Sequence, residues 1–386
     1  MKRLAMNGDQ AIALSWKQID PDVVASYPIT PQTIIVETYA EYVANGEVKT
    51  EYVCSESEHS SMSMCIGASA AGARSATATA SAGLAYMWEM LYIAASMRLP
   101  VVMTVANRAL SGPINIHCDH SDSMGARDSG WIQIYAENVQ EAYDNSIMSF
   151  RIAENMDVRL PVMNCLDGFI VTHAIESMAP LEDDVVKKFI GDYEAIHPLL
   201  DVKSPHSHGP FDMPEYYYEH KYGQQMAMEN ALDVIRKVSE EYAEISGRKY
   251  DFIECYRCED ADYVAISIGS TAGTMKQVVD DLREEGHMVG SIKLRLFRPF
   301  PFEDVAKMLN GRKGVAVLDR AMSFGAYAPL FADVRSATFD NDSRSPTFSY
   351  IYGLGGRDVG VEDLKRVYYD MENGTAETVN YLGVKL

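Results

Sequence analysis

Five short polar clusters in the first 170 residues carry the side chains best suited to chemistry. They are Tyr27-Pro28-Ile29-Thr30-Pro31, Ser55-Glu56-Ser57-Glu58-His59-Ser60, Ser81-Ala82-Gly83, Asn107-Arg108 and Asp167-Gly168. A carboxyl group can hold or move a proton, and a guanidinium can grip a carboxylate by charge-assisted hydrogen bonds. A hydroxyl can orient an oxygen beside them. Each cluster also has a plain structural reading. Thr30 followed by Pro31 has the form of an N-cap and first helical residue. Ser57 and Ser60 can cap a helix whose dipole favours Glu56 or Glu58. Arg108 can be a surface ion pair and Asp167-Gly168 a turn. His117, Asp119, His120 and Asp122, between Pro113 and Gly125, read as a polar loop able to line a crevice.

Two further motifs have less behind them. Gly269-Ser270-Thr271-Ala272-Gly273-Thr274 could cradle a phosphate at a helix start, but it matches neither the P-loop nor the dinucleotide fingerprint. Cys255-Tyr256-Arg257-Cys258 is a C-x-x-C pair without a second pair, whereas zinc and iron–sulfur sites take about four ligands. It reads as lying between two domains.

The elements that must position these clusters follow from periodicity. Strands are expected at 22–26, 51–54, 75–79, 101–106 and 160–165, and helices at 9–18, 31–45, 59–73, 83–97 and 138–155. One polar cluster follows each strand. Strands alternating with helices predict a parallel sheet covered on both faces, whose carboxyl ends gather the clusters round one crevice. Residues 201–222, with three His, three Pro and Tyr216-Tyr217-Tyr218, read as a surface connection. A helix with Met228, Leu232, Ile235, Val238, Tyr242 and Ile245 on one face then runs to Gly247. A second α/β unit has strands at 263–268, 291–296 and 314–318, and helices ending at 285 and spanning 302–309. The expected division is 1–245, with the linking helix, and 246–386.

Composition bounds the function. The 386 residues carry 34 basic and 55 acidic side chains, a net charge of −21, which disfavours nucleic-acid backbones and acidic membranes as partners. No targeting segment is expected after Met1-Lys2-Arg3, because polar residues follow. The small-residue stretch 64–87 contains Arg74 and suits a tightly packed core better than lipid. Six cysteines without a disulfide pattern point to a reducing, cytoplasmic setting.

Taken in order, YPITPQT (27–33), SEHSSM (57–62), IGASAAGARSATATASAGLA (66–85), NRALSGPIN (107–115), DHSDSMGARDSGWIQ (119–133), LDGF (166–169), FRPFP (297–301), VLDRAMSFGA (317–326) and GLGGRDV (353–359) resemble a known family. The chain is similar to alpha subunits of multi-subunit 2-oxoacid:ferredoxin oxidoreductases, pyruvate-type. The resemblance implies a pyrimidine-type thiamine-diphosphate-binding domain followed by a transketolase C-terminal-like α/β domain. It implies a cofactor shared with a beta subunit that holds the diphosphate, magnesium and a 4Fe-4S cluster. Gamma and delta subunits would carry further cluster-binding and electron-transfer parts, with coenzyme A as co-substrate and ferredoxin as acceptor. Glu58, with Glu56 as its rival, would hydrogen-bond the aminopyrimidine. Arg108 would hold the substrate carboxylate, and Thr30 would donate to its carboxylate or keto oxygen. Cys258 departs from the family pattern. The alternatives are a related 2-oxoacid oxidoreductase or decarboxylase with another substrate, and a non-catalytic assembly module.

Overall fold

A computed structural model describes residues 3–340 and 345–385. Two sheets organise it. The first has seven strands in the order Leu296–Arg298, Ile132–Ala136, Val162–Asp167, Val102–Asn107, Ser75–Thr79, Val23–Ser26, Glu51–Cys54. All neighbours are parallel except Leu296–Arg298, which runs antiparallel to Ile132–Ala136. The central strands are buried at every residue, because helices cover both faces. Strand order reverses beside Val23–Ser26, whose successor goes to one side and Ser75–Thr79 to the other. Parallel sheets open a ligand crevice beyond the strand ends at such a point.

The expected elements form with shifted ends, and several differences have local causes. The segment expected as one helix at 83–97 is two, Ser81–Tyr86 and Trp88–Ser96, meeting at Met87. Strand Ile132–Ala136 was not expected. Its Gln133 breaks the apolar run, but the amide Nε2 is met inside, donating to the Ser123 carbonyl at 2.8 Å. Tyr216, Tyr217 and Tyr218 are not in a connection. Pro214 starts a 33-residue helix, Pro214–Ser246, and the three tyrosines stand exposed on its first turns.

The second sheet runs Val379–Tyr381, Thr347–Ile351, Gly314–Asp319, Tyr263–Ser267, Val289–Leu294, Ile253–Tyr256, with only the last strand antiparallel. Cys255 therefore lies on an edge strand of this sheet rather than between units. The strand expected at 291–296 is divided at Arg295. Val289–Leu294 stays in the second sheet, and Leu296–Arg298 crosses to close the edge of the first. Arg295 is 1% exposed at the crossing and donates from Nε and Nη2 to Asn145 Oδ1 at 2.9 and 2.6 Å. Beside it Lys293 Nζ meets Glu137, Glu141 and Glu254 at 2.7, 2.5 and 2.6 Å. Burial alone would lower the lysine pKa, but the carboxylates raise it, so the charge is kept and the sheets are tied together.

Candidate active site

The clusters converge as expected, but several members do different jobs. Thr30 does not cap a helix. The Thr30–Pro31 peptide is cis, and the following helix, Thr33–Ala44, starts from Gln32. The Thr30 side chain is exposed, while its carbonyl accepts from Arg108 Nη1 at 3.0 Å. Arg108 is not a surface ion pair. It is 8% exposed, and its Nε donates to the Asn115 carbonyl at 3.1 Å. Its guanidinium meets carbonyls only, with no carboxylate partner among the described residues. A guanidinium has five N–H donors, so capacity for an anion remains.

Glu58 and Glu56 separate clearly. Ser57 is the N-cap of helix Glu58–Ala71, accepting from the Ser60 N–H at 3.2 Å, and Glu58 is the first helical residue. Glu56 is exposed and accepts from Ser60 Oγ at 2.6 Å, which lowers its pKa. Glu58 is 8% exposed, yet its carboxylate accepts no hydrogen bond from the described residues. Gly83 makes room for it: a Cβ there would come within 2.7 Å of Glu58 Oε1 and 2.5 Å of Thr79 Oγ1. Thr79 Oγ1 and Gln32 Oε1 are themselves buried without partners. A lone carboxylate among unpaired polar atoms, with no acidic cluster beside it, suits a ligand ring bearing a basic nitrogen better than a metal–diphosphate.

Behind this crevice two supporting carboxylates are fully met. Asp122 accepts from Asn107 Nδ2 at 2.8 Å and from the backbone N–H groups of Ser81, Arg108 and Ser123 at 2.9, 3.0 and 2.7 Å. Burial pushes its pKa up to about 6 against these donors. It joins two of the clusters and holds Ser81 at φ 46°, a left-handed conformation that needs such support. Asp167 is not simply a turn residue. It meets His120 Nε2 at 2.7 Å, Arg320 Nη1 at 3.1 Å, and the Ser270 N–H and Oγ at 3.1 and 2.5 Å. Burial acts to raise its pKa, but His120 and Arg320 hold it well below the usual carboxylate range. Ser270 thus serves Asp167 from the turn considered for phosphate. Gly269, at φ 70°, is required there because a Cβ would lie 2.7 Å from Asp167 Oδ1.

The family-like motif at 353–359 pins the loop that carries Arg108. Asn115 Nδ2 donates to the Gly355 carbonyl at 2.9 Å, Gly355 N–H to Asp119 Oδ2 at 3.1 Å, and Gly356 N–H to the Cys118 carbonyl at 2.8 Å. Among the described residues two groupings have metal-ligand types: Cys118, His120 and Asp167, and Glu137, Glu141 and Glu254. Arg320 occupies the first, and Lys276 and Lys293 the second. These cations already pair with the acids. Among the described residues no helix is long and apolar enough to cross a membrane.

Comparison with known proteins accords with this geometry. Residues 15–240 match the family model described as pyruvate flavodoxin/ferredoxin oxidoreductase, thiamine-diphosphate-binding. Residues 261–364 match pyruvate:ferredoxin oxidoreductase core domain II. The chain is 55% identical to pyruvate synthase subunit PorA of Thermotoga maritima, over 100% of this chain and 99% of the relative. It is 48% identical to the PorA subunit of Methanocaldococcus jannaschii, over 98% and 97%. It is 44% identical to ketoisovalerate oxidoreductase subunit VorA of Pyrococcus abyssi, over 95% and 93%. A solved 2-oxoglutarate:ferredoxin oxidoreductase of Magnetococcus marinus shares the fold, with a TM-score of 0.77 at 21% identity. That likeness covers 96% of this chain and 65% of the longer one. The chain belongs to the pyruvate flavodoxin/ferredoxin oxidoreductase family, and its first unit is that family's thiamine-diphosphate-binding domain.

Proposed function

We propose that the chain is the alpha subunit of a cytoplasmic, multi-subunit pyruvate:ferredoxin oxidoreductase. Its reaction is the oxidative decarboxylation of pyruvate with coenzyme A to acetyl-CoA, CO2 and reduced ferredoxin. Residues 1–245 form the pyrimidine-side domain and 246–386 the transketolase C-terminal-like domain. A beta subunit holds the diphosphate, magnesium and a 4Fe-4S cluster, and gamma and delta subunits complete the electron path. Thiamine diphosphate supplies the nucleophilic carbon and the electron sink for decarboxylation. This chain supplies proton control and orientation. Glu58 holds a proton at the far nitrogen of the aminopyrimidine, Arg108 binds the substrate carboxylate, and the Thr30 hydroxyl donates to the carboxylate or keto oxygen.

The observation that carries this reading is Glu58: a carboxylate almost fully buried at a topological switch point, with no donor among the described residues. Burying such a group costs free energy unless something hydrogen-bonds it. In the assembled complex, Glu58→Gln should retain thiamine diphosphate but lower pyruvate-dependent dye reduction by about 10²–10⁴. Glu56→Gln should be near wild type. Wild-type turnover in Glu58→Gln would reject the assignment. The VorA relative supports a second substrate reading, a branched 2-oxoacid. The ratio of kcat/KM for pyruvate and ketoisovalerate decides between them.

A further inference from the structure

The C-x-x-C pair has no part in the reaction above, yet its surroundings are organised. Cys255 is half-buried on the edge strand Ile253–Tyr256, and Cys258 is 3% exposed. Between them Arg257 adopts a φ of 53°. On the neighbouring strand Gly290 leaves room for this turn. A Cβ there would lie 2.7 Å from the Arg257 carbonyl oxygen and 3.0 Å from Cys258 Cα. The chain therefore folds down onto Val289–Leu294, and Cys258 Sγ reaches the Ser291 carbonyl at 3.3 Å. Arg283 clamps the turn, donating to the carbonyls of Arg257 and Val289 and to Asp260, each at 2.7 Å.

This fold-back turns Cys258 back toward Cys255, three residues away across the Arg257 turn. The interaction between the two thiols lowers the Cys255 pKa and raises that of Cys258. Burial opposes the shift at Cys255, the Arg312 guanidinium aids it, and Glu259 and Glu254 oppose it. Arg312 is fixed by the carbonyls of Met308 and Ala261 at 3.2 and 2.7 Å. The other cysteines lack this arrangement. Cys65, Cys118 and Cys165 are buried, with their thiols pushed up by burial, and Cys54 is exposed. The accessible, thiolate-favouring sulfur is the one that attacks an oxidant, and a neighbouring thiol resolves the product.

We propose that Cys255 and Cys258 are a reversible oxidation site that reduces a peroxide and closes to a disulfide. The Cys255 thiolate attacks one peroxide oxygen and the O–O bond breaks. The departing hydroxide takes up a proton as water, leaving a sulfenic acid on Cys255. The Cys258 sulfur displaces that hydroxyl, the S–S bond forms, and the second water leaves with the Cys258 proton. The two thiols lose two electrons and two protons in all, and hydrogen peroxide becomes two waters.

The test needs no turnover assay, so it is independent of the proposed function. The reduced full-length chain is treated with hydrogen peroxide under nitrogen, alkylated and mapped by mass spectrometry. The peptide spanning 255–258 should lose two hydrogens, resist alkylation, and recover both thiols with dithiothreitol. In Cys258→Ser a dimedone adduct should appear at Cys255. In Cys255→Ser the loss of two hydrogens should vanish. The proposal is overturned if both thiols of the wild-type peptide remain alkylatable, if Cys255 links to another cysteine, or if the pair co-purifies with zinc. The wild-type map alone suffices if either variant fails to fold.

Discussion

Glu58 and Asp167 are both buried carboxylates beyond the carboxyl ends of the first sheet, 8% and 0% exposed. Asp167 is met by a histidine, a guanidinium, a hydroxyl and a backbone N–H. Glu58 is met by none of the described residues. The guanidiniums differ in the same way, since Arg320 has the Asp167 counter-charge and Arg108 has carbonyls. The two regions use the same chemistry to opposite ends. The carboxylate that ties the two sheets together is fully met, and the one that faces the crevice is left without a donor among the described residues. Residue type does not separate the two carboxylates; the donors each one meets do.

The largest effect expected from this contrast is at the saturated side. Asp167→Asn strands the Arg320 charge in the interior, which should cost about 3–5 kcal/mol. Urea unfolding of the full chain reads this directly, and a loss below about 1 kcal/mol would erase the distinction between the regions. Next is Arg108→Met. If Arg108 holds the substrate carboxylate as proposed, this removes a charge-assisted partner worth about 1.5–3 kcal/mol, so KM for pyruvate should rise while thiamine diphosphate stays bound. An unchanged KM would return Arg108 to a purely structural role. The smallest is at Thr30, which caps nothing. Thr30→Val should lose about 0.5–1.5 kcal/mol of transition-state stabilisation while Thr30→Ser keeps it, with melting temperatures alike. Equal turnover in the two variants would remove the hydroxyl from the site.

Much of this contrast can be traced to the sequence, and the rest was hidden for definable reasons. The alternating elements of the first unit, and hence the gathering of polar clusters, follow from local periodicity. Glu56 and Glu58 could not be separated locally because both lie at the start of the same helix; Gly83, from another cluster, distinguishes them. Thr30 carries a capping signature, but the helix after it starts from Gln32. The partners of Asp167 were invisible for a different reason. Ser270 and Arg320 lie 103 and 153 residues away, and no local pattern marks them. Arg295 hid the strand crossing, because a wholly buried arginine between two short strands reads as one continuous strand.

The central claim is that the unsatisfied side of the crevice is half of a shared cofactor site. Anaerobic expression of this chain alone, then together with the beta subunit, tests it through bound thiamine diphosphate, iron and pyruvate-dependent dye reduction. The account predicts weak cofactor binding, no stoichiometric iron and no turnover for the lone chain, and tight cofactor binding, bound iron and dye reduction with the partner. A lone chain that binds thiamine diphosphate tightly and oxidises pyruvate would contradict it.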